Sequence, residues 1–139
     1  MRILSGIKKV FVIAVIVLIA SSCSKEDFGT GFTGTIEFGE GSCIPGIPES
    51  ARKYENYNGR VYFVEKSAAD SLGEPGFVRL KLKSSSVEAQ NGKVSVELPA
   101  GTFVIMTDEY FVNDPEFTIT VTEGQILRKD FKIWVCTSF

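Results

Sequence analysis

Three cysteines and no histidine bound the chemistry of this 139-residue chain. Without histidine there is no Ser-His-Asp or Cys-His relay and no histidine-based metal site. Two isolated thiols, Cys43 and Cys136, cannot complete a tetrahedral zinc site. Carboxylates remain, and Glu37 with Glu40 or Asp108 with Glu109 could form an acid/base pair of the glycosidase kind. At these positions they read more simply as solvated strand ends, so the chain is taken to be no enzyme and to carry no cofactor. The stretch Asp108-Glu109-Tyr110-Phe111-Val112-Asn113-Asp114 could turn its oxygens onto Ca²⁺, which takes roughly six to eight of them. It lacks the alternating acidic spacing of calcium loops and reads as a polar connection, with no metal assigned. The rings of Tyr54, Tyr57, Tyr62 and Phe63 could stack on a sugar or fill a partner pocket, or close one end of a core. Tyr54 and Tyr57 are the candidate ligand contacts.

The elements that position these residues follow a leader. Arg2, Lys8 and Lys9 flank the apolar run Val10 to Ala20, followed by Ser21, Ser22 and Cys23. That is the charged, apolar and cleavage order of a signal peptide. A spanning helix needs roughly 20 apolar residues, so the run is too short to cross a bilayer. Leu18-Ile19-Ala20-Ser21-Ser22-Cys23 resembles the lipobox of bacterial lipoproteins, with Ala20 where that family most often has Leu. The resemblance implies cleavage before Cys23 and a diacylglyceryl group on its thiol, leaving palmitate-type chains as the sole membrane anchor. Each buried CH₂ contributes about 0.8 kcal/mol, so one chain holds marginally and two hold firmly. An ordinary secretory signal with a chance cysteine is the alternative. Ser24-Lys25-Glu26-Asp27 is similar to the acidic export signal of surface-displayed lipoproteins in some Gram-negative bacteria, which implies an outer-membrane, cell-surface location. A plain solvated tether is the other reading.

Removing residues 1–22 leaves 117, enough for one domain and too few for a second core. The expected organisation is a lipoprotein signal peptide over 1–22, a lipidated tether over 23–30 and one domain over 31–139. The leader holds three of the 15 basic residues and none of the 17 acidic ones, so the remainder has a net charge of −5. That balance argues against nucleic acid or an anionic bilayer surface as partner. Beyond the inner membrane the compartment is oxidising, and Cys43 and Cys136 are expected to pair. Two buried free thiols are the alternative.

Period-2 alternation marks half-buried strands. Phe32, Ile36 and Phe38 alternate with polar neighbours, as do Val78, Leu80 and Leu82; Val94, Val96 and Leu98; Phe117, Ile119 and Val121; and Phe131, Ile133 and Val135. Val61 to Val64 and Phe103 to Met106 are apolar on both faces, as expected of strands covered on both sides. Asn91-Gly92 predicts a hairpin turn between the 78–83 and 93–98 runs, and Glu123-Gly124 a turn between the last two. Helical periodicity is confined to about a turn near Ala68 to Leu72, and long loops are expected at 39–59 and 67–77. Trp134 shares strand parity with Cys136, which places it beneath the first of these loops. Seven short strands with close turn signals predict an all-β fold, a seven-stranded antiparallel Greek-key sandwich, with a small closed barrel as the alternative.

Three stretches add a family resemblance. Gly92-Lys93-Val94-Ser95-Val96-Glu97-Leu98-Pro99-Ala100-Gly101-Thr102-Phe103-Val104-Ile105 resembles the strand, Leu-Pro-x-Gly turn and aromatic-bearing strand of the carboxypeptidase regulatory-like domain. Pro fixes φ near −65° and Gly tolerates positive φ, which together force a sharp reversal. Gly31-Phe32-Thr33-Gly34-Thr35-Ile36 is similar to that family's first strand, and Ile119 to Gln125 to its penultimate strand and turn. The resemblance implies a transthyretin-like sandwich that is usually noncatalytic; the cysteine-bearing loop Gly39 to Ser50 departs from the pattern. The expected function is a noncatalytic, surface-tethered binding or accessory module recognising a protein or glycan. The second reading is a structural subunit of an envelope complex that pairs through a sheet edge.

Overall fold

The computed structural model describes residues 28–71 and 74–138; the leader, Cys23 and most of the tether lie outside them. Strand β1 (Gly31–Ser42) is the axis of one sheet. Its N-terminal half pairs antiparallel with β5 (Lys93–Glu97), and Glu37 and Phe38 further along pair with the short β2 (Glu55–Asn56). On the opposite side lie β8 (Ile126–Arg128) and β9 (Phe131–Ser138), both parallel to β1. Gly31 faces Ile126 and Ile36 faces Phe131, so β8 and β9 keep one register with a break at Lys129 and Asp130. The second sheet has the order β4 (Ser85–Ala89), β3 (Gly59–Glu65), β6 (Gly101–Thr107), β7 (Thr118–Val121), all antiparallel. Two open sheets, mostly strand with little helix, make an all-β sandwich rather than a closed barrel.

The expected wholly antiparallel pairing is therefore corrected at β1. The chain leaves β7 in the far sheet, turns at Gly124 (φ +75°) and enters the near sheet beside the start of β1. Having entered there, it can only run along β1 in the same direction. Nine strands stand among the described residues instead of seven, because β2 and β8 are two and three residues long. The loop expected over 39–59 also shrinks, since β1 continues to Ser42.

Asn91 (φ +51°) and Gly92 (φ +77°) both take the left-handed conformation that a two-residue hairpin turn requires. The strand before this turn is Ser85–Ala89, however, not 78–83. Past a single bridge between Gln90 and Lys93, the two strands part into different sheets. Residues 78–83 instead belong to helix α2 (Glu74–Lys83), which follows α1 (Lys66–Ser71). Pro75 sits in the first turn, where its missing N–H removes no helical hydrogen bond. The reason for the helix lies in the second sheet, whose outer face needs a cover. Tyr62, Val64, Val104 and Met106 point away from the first sheet and are buried with Ala69 and Leu80 from the helices. Leu82 is left 84% exposed.

The main core fills the space between the sheets. Alternate residues Phe32 and Ile36 of β1, Phe131 and Ile133 of β9, and Val61, Phe63, Phe103 and Ile105 of β3 and β6 are buried there. Phe32 stacks tilted on Phe63 and Phe131, at 5.6 and 6.1 Å between centroids, and Phe117 closes edge-on against Phe131 at 5.8 Å. Each such side chain contributes about 1.5–3 kcal/mol through burial. The double-sided apolar runs of β3 and β6 are thus explained: one face packs on the first sheet and the other beneath the helices. The outer face of the first sheet carries no helix among the described residues.

Candidate functional site

Gly39 and Gly41 face outward from β1, opposite Trp134 and Cys136 of β9. The indole of Trp134 lies across both glycines, where a Cβ would come within 2.8 Å of the ring. Glycine inside a strand often marks such a close approach. Loop 43–54 then folds over the indole. The Arg52 guanidinium sits 5.1 Å from the ring centroid, and Tyr54 meets the ring edge-on at 5.5 Å. Lys132 places its ammonium 5.3 Å from the Tyr54 ring centroid and pairs with Glu37 at 3.7 Å. The Trp134 Nε1 is buried with no hydrogen-bond partner. An orphaned buried donor costs about 1–3 kcal/mol.

A disulfide joins Cys43 to Cys136 across a Cα separation of 5.4 Å and staples the loop to the end of β9. Between the staple and Arg52, Ile44 and Ile47 stand 47% and 49% exposed. A crevice of about 210 Å³ opens at the staple, lined by Cys43, Glu49, Arg52, Tyr54, Lys132 and Trp134 among others.

Tyr54 and Tyr57 do not share this surface. Tyr57 is 5% exposed and belongs to the core, packed on Phe38 at 5.7 Å. Its hydroxyl donates to Glu109 Oε2 at 2.8 Å, and burial with that carboxylate raises its pKa well above the ordinary phenol value. It offers no ring to a partner, because β2 and the start of β3 fold it inward; Tyr54 keeps the candidacy alone. Trp134 and Arg52 are not among the candidate contacts of the sequence: Gly39-x-Gly41 marks a face that something approaches closely, but only the pairing of β1 with β9 shows that the indole is what lies there.

The remaining candidates are engaged elsewhere. Glu37 and Glu40 lie three apart on one strand, hence on opposite faces. Asp108 pairs with Lys81 and accepts from the Tyr62 hydroxyl at 3.1 Å; Lys81 is the first cause of its lowered pKa. Glu109 turns the other way, into Tyr57. Asp114 accepts from the Tyr110 hydroxyl at 2.7 Å and caps the N–H of Glu116; burial, with Asp114 second, pushes the Tyr110 pKa up to about 12. Asn113 donates to Asp70 at 2.9 Å. The acidic loop thus sends its side chains to separate partners in the helices and the core, and no three potential metal ligands converge among the described residues. Compared with known proteins, the chain matches no family model, no curated protein and no solved structure.

Proposed function

We propose that this chain is a noncatalytic binding or accessory lipoprotein module, anchored through lipid on Cys23 at the outer membrane and displayed on the cell surface. On this reading it recognises a protein or glycan with the stapled loop and the Trp134 face. The observation that supports it is the orphaned Trp134 N–H beneath Arg52 and Tyr54, in a loop that also exposes Ile44 and Ile47. Displacing the Arg52 side chain would offer that donor to an acceptor on the partner, and the disulfide lowers the entropy lost when the loop is fixed. We also read the sandwich as a transthyretin-like Greek key. In support, the chain passes from β4 to β5 in the other sheet and back to β6, and the return is made at Leu98-Pro99-Ala100-Gly101.

Tyr54→Ala tests the binding reading. The edge-on pair with Trp134 accounts for about 0.5–1.5 kcal/mol, so melting should shift little while capture of envelope proteins or glycans by cells displaying the full chain falls sharply. A stability loss of about 3 kcal/mol or more, that of a buried ring, with capture unchanged, would overturn it. Cys23→Ala tests the anchor: the variant should stay uncleaved or appear in the soluble fraction. Membrane retention equal to wild type after a high-salt wash would remove the lipoprotein reading. The second reading, pairing through a sheet edge, is favoured by one feature of β9, which has no proline and pairs only with β1 among the described strands.

A further inference from the structure

Hydrogen-bond directions along β1 fix which backbone groups of β9 are engaged. Ile36 donates its N–H to the Gly92 carbonyl and accepts from the Tyr57 N–H, so its backbone points toward β5 and β2. Neighbouring residues of a central strand turn their backbone groups to opposite sides. Thr33, which accepts from the Lys129 N–H, has the other parity. Glu37 and Gly39 therefore face β9, and since Glu37 stands opposite Lys132 and Gly39 opposite Trp134, the parallel ladder engages Phe131, Ile133 and Val135. The N–H and C=O of Lys132 and Trp134 point the other way, to an edge where no described residue bonds to them. The crevice at the staple lies across this edge. Of β9 it touches Lys132, Trp134 and Cys136. One wall is Arg52 and Tyr54, on the outer face of the sheet; the other is Tyr110 and Phe117, which pack edge-on at 5.7 Å at the rim of the core between the sheets. A cavity touching both walls has to pass around β9 on its unpaired side.

We propose that this crevice binds an extended polypeptide segment of a partner, which joins β9 as an added strand and carries apolar residues at alternate positions. The proposal rests on the binding reading of the stapled loop and names its partner class. Paired N–H and C=O groups repeating at about 6.7 Å are what a strand matches group for group, and the hydroxyls of a sugar chain hold no such period. A strand added about 4.8 Å from β9 turns alternate side chains to opposite faces. One row meets Phe117, Tyr110 and the half-buried Val135, which asks for apolar residues; the other lies beside Trp134 and Tyr54. Charge does not direct the choice, because Glu49, Asp114 and Glu116 line the crevice against Arg52 and Lys132, and Lys132 already pairs with Glu37. That balance sets an acidic glycan aside.

The test selects a phage-displayed library of random linear peptides on the purified full chain. Expected is enrichment of sequences with apolar residues at every second position. Lys132→Pro removes an outward N–H and no bond to β1, so it should fold and bind the enriched peptide about tenfold more weakly. Lys132→Ala loses the same contacts to Tyr54 and Glu37 but keeps the N–H, and should stay within about threefold of wild type. Should Lys132→Pro not fold, the enriched peptide is made in two forms, N-methylated at its odd or at its even positions. One form should keep its binding to wild type and the other lose it, because an added strand bonds through one of its edges only. Equal weakening by the two Lys132 variants, equal binding of the two methylated forms, or no enrichment would overturn the proposal. So would a dimer in sedimentation that Lys132→Pro dissociates, since the edge would then belong to a second copy. Capture of envelope partners lost in Tyr54→Ala but unaltered in Lys132→Pro would leave the loop reading standing and overturn this one.

Discussion

Gly34→Ala is expected to cost about 3 kcal/mol or more, lowering the melting temperature by roughly 10 °C or more. Gly34 lies in the interior of β1, beside the gap at Lys129 and Asp130 between β8 and β9. A Cβ there would stand 1.8 Å from the Lys129 carbonyl oxygen and 2.8 Å from its carbonyl carbon. These are backbone atoms, so no rotamer change relieves the clash and the strands must separate. Separation breaks the bond from the Lys129 N–H to the Thr33 carbonyl and the two bonds that Asp130 accepts from Thr35. Bonds to a charged group contribute about 1.5–3 kcal/mol each. Gly29→Ala is the control, since nothing lies within 4 Å of a Cβ there, and it should change stability by less than about 0.5 kcal/mol. Equal melting of the two variants would show that the close approach at Gly34 plays no such part.

The same residues show how far the fold could be read in advance. Doubly apolar runs at Val61 to Val64 and Phe103 to Met106 identified the two strands buried on both faces, because that pattern depends only on what lies on either side of a strand. What lay there was not legible. The cover over Tyr62 and Val104 is a helix whose sequence, Val78-Arg79-Leu80-Lys81-Leu82-Lys83, alternates as a strand does. Local pattern lost to tertiary demand. β3 already had β6 on one edge and Ser85–Ala89 on the other, so a further strand could not pair with it, whereas its outer face needed burial. Leaving Leu82 in solvent is the residue of that conflict. The direction of β9 was hidden for a related reason, since alternation fixes which face a strand buries and says nothing of which neighbour it takes. Of the binding candidates, Tyr54 and Tyr57 looked alike in one loop, and only the pairing of β2 with β1 separates an outward ring from a core one.

Removing the cross-link by Cys43→Ala with Cys136→Ala should destabilise the protein by about 2–4 kcal/mol, second only to Gly34→Ala. The bridge spans 93 residues and so restricts nearly all of the unfolded domain. Its loss lets the unfolded chain expand, and the denaturant slope should rise while the urea midpoint falls. The folded state changes too. β9 is held along one edge only, and its register with β1 shifts just where the bridge attaches, between Gly41 and Ser42. Without the staple, loop 43–54 loses its tie to β9, and Arg52 and Tyr54 are freed from the Trp134 ring. Tryptophan emission should therefore shift to the red before the main unfolding transition, as the half-buried indole gains water. Thiol labelling of the denatured, unreduced wild type should find neither Cys43 nor Cys136 reactive. An unshifted midpoint with an unchanged slope in the double variant would mean that the sheet alone holds this end of the sandwich closed.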